Sequence, residues 1–599
     1  MITTTLLALA LVAAQPAAEP ASLVDTYLER YCDFYPSSAT RTGRHDHDRE
    51  LEDFSEESVA AWVAFNRETA AELAKRLDAA GGARHDRPDT LDWELLLGQA
   101  EGELARWETL ERHRTNPLLW SGVPSSATVF LLVRDDLPLA DRLDRAAARA
   151  GLIPRFVEQA LAAVKAMDPA EVAPELAGIA AGQTKASATF YREGFAGAAS
   201  DPDLEFRLAK AGTAAAEALD RLAGALDALA ERATGSPRLG AERYRLLFRL
   251  HTGIDEDPAE VAVEAEAALA AKRAEAAAYA RSVWADYFPE DDPPEDDRAL
   301  LARMFERVEA DRASSVDELV ADYKNLVEES IEFVRERGIV TIPDPVTIRT
   351  ERSPSFFVGQ SVGGVYPAGP YAPEADTLFY LPTPPETATP EQAETFYRGF
   401  NHHFNVMITP HEMVPGHYLQ LKHAALHPRK VRALFGDGVY VEGWGTFCER
   451  LMLDLGWGGN DPLDRLAHLK KQMENIARTV VDIRVHTGDR EVWTRDEVIR
   501  FVRDEALQDG QFAGNMWTRA ITSSPQITSY WLGYRRVMGL YEDVKEARGE
   551  DFDLRQFMDG MMEMGPVGVS HYRMRMLPAT DPITAPEADH DDEPPSREP

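Results

Sequence analysis

From about Ala21 to Asp286, apolar residues recur every three or four positions, as at Trp93, Leu97, Ala100, Leu104 and Trp107. That spacing places them on one stripe of a helix. Phe206 to Ala233 repeats the pattern through Leu208, Ala211, Ala215, Leu219, Leu222 and Leu226. Such stripes predict packed helices that build a core, and no chemistry is assigned to them. Between Asp286 and Asp297 the run DYFPEDDPPEDD carries seven acidic residues, three prolines and no base, which predicts an exposed connection. Helical texture returns from Ala302 to Arg337. It then gives way to short β-branched and aromatic runs at Ile339 to Ile342, Val346 to Ile348, Phe356 to Val358 and Thr377 to Leu381, separated by Pro and Gly. These predict a small sheet. A second helical stretch runs from Pro390 to about Gly560, and the acidic tail from Asp581 to Pro599 has no periodicity, so it is expected to be disordered.

The expected architecture is therefore mainly α with a small β-sheet. Residues 1–20 form a leader and mature N-terminus, 21–285 an N-terminal helical subdomain, and 286–298 an acidic linker. A catalytic subdomain over 299–575 contains the sheet, and 576–599 is a tail. The leader is read from the unbroken apolar run Leu6 to Ala14, after which Gln15 and Pro16 follow the small residues Val12-Ala13-Ala14. That pattern resembles a signal-peptidase site and predicts export to the periplasm or medium, with a cytoplasmic protein as the alternative. Nine apolar residues are too few to span a bilayer, so stable membrane insertion is not expected.

The chain of 599 residues has 64 Lys and Arg against 101 Asp and Glu, a formal charge of −37. Such an excess repels phosphate backbones and argues against nucleic-acid binding. Its distribution matters more than its size. The acidic stretch from Asp286 carries −7 and the tail from Asp581 carries −6, together about a third of the total. Arg398, Lys422, Arg429 and Lys430, by contrast, surround the segment where the chemistry is expected. The acidity thus describes surface rather than a site, and it does not imply a basic substrate. The two cysteines, Cys32 and Cys448, are too few for a disulfide framework or a cysteine metal cluster; whether they pair is left open.

Histidine is where the sequence turns specific. Six of its 15 copies (His402, His403, His411, His417, His423 and His427) fall within 26 residues. At their centre is Thr409-Pro410-His411-Glu412-Met413-Val414-Pro415-Gly416-His417. Thr409 reads as a helix cap, Pro410 as its first turn and Glu412 as the capping-box acid, so His411 and Glu412 are expected to open a helix. Two histidines flanking a glutamate follow the logic of zinc hydrolases, in which imidazoles hold the metal and the glutamate works on water. The usual spacing is four, whereas His411 and His417 are six apart, about 240° around an ideal helix. A kink at Pro415 and Gly416 would bring His417 back toward His411.

Twenty-five residues further on, Glu442 and Glu449 stand seven apart in an apolar helical context. Glu442 is read as the third zinc ligand, leaving one position for water. Glu449 is read as the acceptor for the spare N–H of a ligand histidine, with a solvent-facing ion pair as the alternative. Arg478, Asp482 and His486 follow at i, i+4 and i+8 of a strongly apolar helix. Arg478 and Asp482 are assigned either to the surroundings of the site or to an internal Arg–Asp pair, and His486 to the site itself. Ser523-Ser524-Pro525-Gln526 is expected to open a helix carrying Tyr530, whose phenol would donate to an oxyanion, although a lone Tyr is equally a packing residue.

The segments HEMVPGHYLQ, EGWGTFCERLM, RTVVDIRVHTG and PQITSYWLG, in that order, resemble the bacterial family known as domain of unknown function 885. The likeness in helical layout extends from about residue 20 to 575. That family is held to be similar to gluzincin zinc metallopeptidases such as carboxypeptidase Taq and thimet oligopeptidase. The resemblance implies a helical zincin-like fold with a deep cleft, one Zn²⁺ held by His411, His417 and Glu442, and Glu412 as general base. Tyr530 and His486 would stabilise the transition state. The expected function is a zinc metallopeptidase acting on oligopeptides. One alternative is metal-dependent hydrolysis of a non-peptide amide or ester, and another is a catalytically silent helical binding protein. For peptide binding, the strand at Thr377 to Leu381 is expected to line the cleft and pair with an extended substrate.

Overall fold

The computed structural model describes residues 22–81, 88–353, 364–384 and 388–577. The leader over 1–20, the apolar run Phe356 to Val358 and the tail beyond residue 577 lie outside them. The described chain is mainly helical with one three-stranded sheet. Its long helices share a start signal: Asp201, Asp257 and Asp461 each accept a backbone N–H with the side chain and are followed by Pro at the first helical position, opening Pro202–Arg232, Pro258–Tyr287 and Pro462–Thr487. The carboxylate satisfies an otherwise orphaned donor, while the proline ring pre-sets the helical φ.

Among the described residues the helices build three large cores, with a small fourth cluster at the sheet. The first collects Tyr27 to Ala233, with Trp62, Trp107 and Trp120 among its largest members. The second joins Tyr244 to Val308 with Leu463 to Leu532. The third gathers Leu319 to Val340, the sheet, and residues from Tyr397 to Tyr572. The second core corrects the expected linker over 286–298, because helices on both sides of that stretch contribute to it. The stretch itself is exposed as expected, with none of its residues buried, but it is tied to its neighbours. Trp284 Nε1 donates to the Asp291 carbonyl at 2.7 Å, Arg303 pairs with Asp291 at 2.7 Å, and the same guanidinium lies 4.5 Å from the Phe288 ring centroid. Seven acids in sequence keep the stretch in solvent, while one arginine and one tryptophan hold it against the helices on either side. The change of core falls near residues 234–240.

The strands are β1 (Ile348–Arg352), β2 (Gly364–Tyr366) and β3 (Thr377–Leu381), in the order β1-β3-β2. β1 runs parallel to β3 from the Ile348–Thr377 pair, and β2 runs antiparallel to β3 from the Gly364–Tyr380 pair. Of the predicted runs, Thr377 to Leu381 is a strand throughout. Ile339 to Ile342 is not: it enters the proline-broken segment before β1, with Ile339 and Val340 buried as loop anchors. β3 is central and fully buried, so it cannot pair with a substrate as expected. Leu378 and Tyr380 face Val129 and Val133, whereas Phe379 and Leu381 enter the third core. The sheet therefore ties the N-terminal helices to the half containing the histidine cluster.

Two helices of the third core, Gly438–Asp454 and Ser529–Arg548, touch backbone to backbone. A Cβ at Gly443 would lie 2.2 Å from the Gly533 carbonyl carbon, and one at Gly533 would lie 2.0 Å from the Val439 oxygen. Gly533→Ala is therefore expected to push the helices apart and to cost at least the roughly 1–3 kcal/mol of ordinary overpacking. Urea unfolding followed by far-UV circular dichroism checks this, and a midpoint equal to that of the unsubstituted chain would disprove the contact. No helix among the described residues is long and apolar enough to cross a membrane.

Candidate metal centre

Asn401 caps the helix His402–Glu412 by accepting from Phe404 N–H at 2.9 Å. His411 and Glu412 thus close a helix where sequence had them open one. Pro410 is tolerated in the last turn for a physical reason. It has no N–H to give the Val406 carbonyl four residues back, and the Trp457 indole takes that carbonyl instead at 2.7 Å. The chain turns through Met413 to Gly416 and restarts as His417–Leu426. Gly416 is required there, because a Cβ would lie 2.0 Å from the His411 oxygen and 2.3 Å from that of Pro410. The Trp444 indole, fully buried, donates to the Pro415 carbonyl at 2.9 Å and locks this turn onto the Gly438–Asp454 helix.

The break brings the two histidines together, with ring centroids 4.6 Å apart and planes at 80°. Glu442 Oε2 lies 3.7 Å from His411 Nε2 and 3.6 Å from His417 Nε2, and one ligand atom from each of the three residues falls within 4.8 Å of the other two. These separations are too long for hydrogen bonds. They match the edge of a tetrahedron of about 3.4 Å that bonds of about 2.1 Å to zinc would set. The donor set of two imidazoles and one carboxylate, with a further position open, suits zinc, so the residues present fit the ion.

The surroundings orient each donor. His411 Nδ1 bonds Glu449 Oε1 at 2.8 Å, leaving Nε2 to face Glu442. Glu449 has no exposure at all, which settles its role against a solvent ion pair; its other oxygen is 3.8 Å from His468 Nε2. Gln526 Nε2 donates to Glu442 Oε1 at 3.1 Å and so keeps Oε2 turned toward the imidazoles. Burial by itself would lower the His411 pKa, but the carboxylates of Glu442 and Glu449 hold it up, at about 10. For Glu442 the balance is reversed: burial would raise it, and the two facing histidines keep it well below the usual carboxylate range. Both shifts describe a pocket that wants positive charge between these residues. Gly445 leaves room for the His411 ring, since a Cβ there would lie 2.8 Å from it.

The remaining assignments divide. Tyr530 lies parallel to His411, with centroids 6.5 Å apart and planes at 19°, and Arg478 sits over its ring at 4.4 Å. Burial, then the charge of Glu442, raises the Tyr530 pKa, so the phenol stays protonated and can donate. Its helix starts at Ser529, after a short turn over Gln526–Thr528 that follows the end of Gly510–Ser523. Arg478 does not pair with Asp482; it pairs with Glu474 and donates to Asn475 Oδ1 at 3.1 Å. Asp482 accepts from Tyr244 at 2.7 Å and from Ser524 at 3.0 Å, so it reaches the centre only by holding the loop that carries Gln526.

His486 is not in the site. Its Nδ1 accepts from Leu239 N–H at 3.1 Å, its Nε2 donates to the Ala520 carbonyl at 2.9 Å, and burial lowers its pKa to about 4. Four of the six clustered histidines are also engaged elsewhere: His402 with Asp322, His403 with Asp464, His423 with the Thr341 carbonyl and His427 with Arg429 N–H. Sequence reasoning overlooked Gln526, His468 and Tyr323, the last being close enough to Glu412 that the carboxylate, after burial, adds to the rise of its pKa. No spacing rule links them to the motif. Cys32 and Cys448 are both free and buried.

The comparisons with known proteins agree with one another. A family profile described as "Bacterial protein of unknown function (DUF885)" matches residues 36–576. A solved structure described as a candidate lipoprotein of unknown function from Shewanella oneidensis superposes with a TM-score of 0.75 at 24% identity, covering 93% of this chain and 100% of that one. A second, a candidate lipoprotein from Colwellia psychrerythraea, gives 0.70 at 16% identity, with 92% and 97% covered. No curated protein matches the chain.

Proposed function

Since the chain belongs to the bacterial family DUF885, whose activity its description leaves open, we propose that this member is a zinc-dependent hydrolase, most specifically a metallopeptidase. The convergence of His411, His417 and Glu442 on one point carries the reading. When bound, zinc supplies a Lewis acid that polarises a carbonyl and lowers the pKa of water toward about 7. Glu412, next to a ligand histidine and without a hydrogen-bond partner among the described residues, takes the proton from the attacking water and passes it to the leaving amine. Tyr530, kept protonated by its burial, donates to the oxyanion. Glu449 fixes the His411 ring and raises its basicity.

The zincin-like character of the fold and its similarity to gluzincin peptidases belong to this proposal. They rest on the helical scaffold, the small sheet and the His-Glu…His…Glu order of the donors. Export is proposed as well, from the apolar run at Leu6 to Ala14 and from the description of both structural relatives as candidate lipoproteins. The test is to measure zinc in the purified chain by mass spectrometry and then its turnover of a mixed peptide library beside panels of esters and acyl amides. About one zinc per chain and peptide cleavage that a chelator stops are expected. Ester or acyl-amide turnover alone moves the reading to a non-peptide hydrolase, and less than a tenth of a zinc after incubation with the metal removes it. Glu449→Gln, which keeps the shape but not the charge facing His411, is expected to weaken zinc binding by about 10–100-fold, read by competition with a chromophoric chelator.

A further inference from the structure

A cavity of about 580 Å³ opens where the N-terminal helices meet the sheet and the helix of His417. None of the candidate ligands lines it, but two of its wall residues neighbour them along the chain. Leu421 in its wall lies one helical turn, about 6 Å, beyond His417, and Val441 in its wall directly precedes Glu442. Its lining is unusual for this chain. In a protein of net charge −37 no Asp or Glu lines it among the described residues, and its charged residues are Arg41 and Arg134.

Neither guanidinium has a carboxylate within ion-pair distance among the described residues; Asp136 and Asp135 act on Arg134 only from further away, and its guanidinium lies 5.4 Å from the Phe130 ring centroid. Arg134 is 2% exposed and uses Nη2 on the carbonyls of Arg41 and Pro367, while its Nε and Nη1 are buried without a hydrogen-bond partner. A buried cation left half-satisfied is costly unless an anion completes it. Arg41 is exposed at the same cavity and can close on an anion from the solvent side. Apart from Thr42 and Ser126, the rest of the wall is apolar or aromatic, with Tyr31, Phe130 and Tyr366 beside a small-residue surface of Ala424 and Ala425. Two arginines beside an apolar chamber suit an organic anion that carries a hydrophobic group, and a planar carboxylate fits a guanidinium fork.

We propose that this cavity holds the C-terminal residue of the substrate, with Arg134 and Arg41 on its free carboxylate and the aromatic wall on its side chain. The inference rests on the peptidase reading and narrows it to peptides cut near a free, apolar C-terminus. The positive cavity inside an acidic surface also focuses such anions toward the metal.

The test separates binding from turnover. An N-acylated dipeptide ending in phenylalanine is prepared as the free acid and as the C-terminal amide, and both are titrated calorimetrically into zinc-loaded Glu412→Gln protein, which holds the ligand set but lacks the base. The acid is expected to bind at least tenfold more tightly than the amide. Arg41→Gln is expected to remove most of that difference, and because Arg41 is exposed this change does not threaten the fold. Arg134→Lys, which keeps the charge but not the fork, is expected to reduce it. Equal binding of acid and amide, or binding of neither at millimolar concentration, overturns the proposal. Acid-selective binding by a protein whose wild type hydrolyses neither compound retains the carboxylate pocket and overturns the peptidase reading alone.

Discussion

Glu412→Gln is expected to leave the chain with its full zinc content and to cut kcat for its best peptide by about two to four orders of magnitude, the usual worth of a general base. The zinc content should hold because none of the three donors is altered: His411 keeps its bond to Glu449 and Glu442 keeps its bond from Gln526. The rate should fall because the amide cannot accept the proton. The fold should be indifferent, since Glu412 is partly exposed at the end of its helix. Metal content, thermal midpoint and kcat are measured on one preparation. Retained zinc with unchanged hydrolysis would eliminate Glu412 as the base.

The three residues that converge on one point were legible in the sequence because they are chemically conspicuous: His411, His417 and Glu442 are polar groups in apolar surroundings, and a buried carboxylate needs a reason. Their geometry was less legible. Thr409-Pro410 carries the local signals of a helix start, but Asn401 caps eight residues earlier and Trp457, 47 residues after Pro410, satisfies the carbonyl that the proline leaves open. A tertiary contact overrode a local preference, and no periodicity could report it. The six-residue spacing works for the same kind of reason. The histidines sit at the end of one helix and the start of the next, with Gly416 allowing the two to touch.

His486 shows the opposite failure. An apolar helix with a polar stripe demands partners, but it does not say which, and two backbone groups from distant segments claimed both ring nitrogens. The charge reading also sharpens. Within a chain of net charge −37, one cavity has cations alone among its charged lining groups.

Glu442→Ala carries the second large effect. The carboxylate faces two imidazoles and is held ionised by them, so its removal leaves a ligand set of two neutral donors and no anionic charge directly opposite them. Zinc affinity is expected to fall by well over the roughly 100-fold typical of losing a supporting residue. The consequence reaches stability. A ligand at about a thousand times its Kd stabilises the folded state by about 4 kcal/mol, so the wild-type chain should gain thermal stability when zinc is added to metal-stripped protein, whereas Glu442→Ala should gain almost none. Glu442→Gln separates charge from shape: it can preserve the packing against Gln526 while losing the anionic donor, and its zinc response should resemble that of the alanine variant. Scanning calorimetry with and without zinc decides the matter independently of any substrate. If Glu442→Ala binds zinc as wild type does, the ion is held elsewhere, and the centre built from His411, His417 and Glu442 is not the one the protein uses.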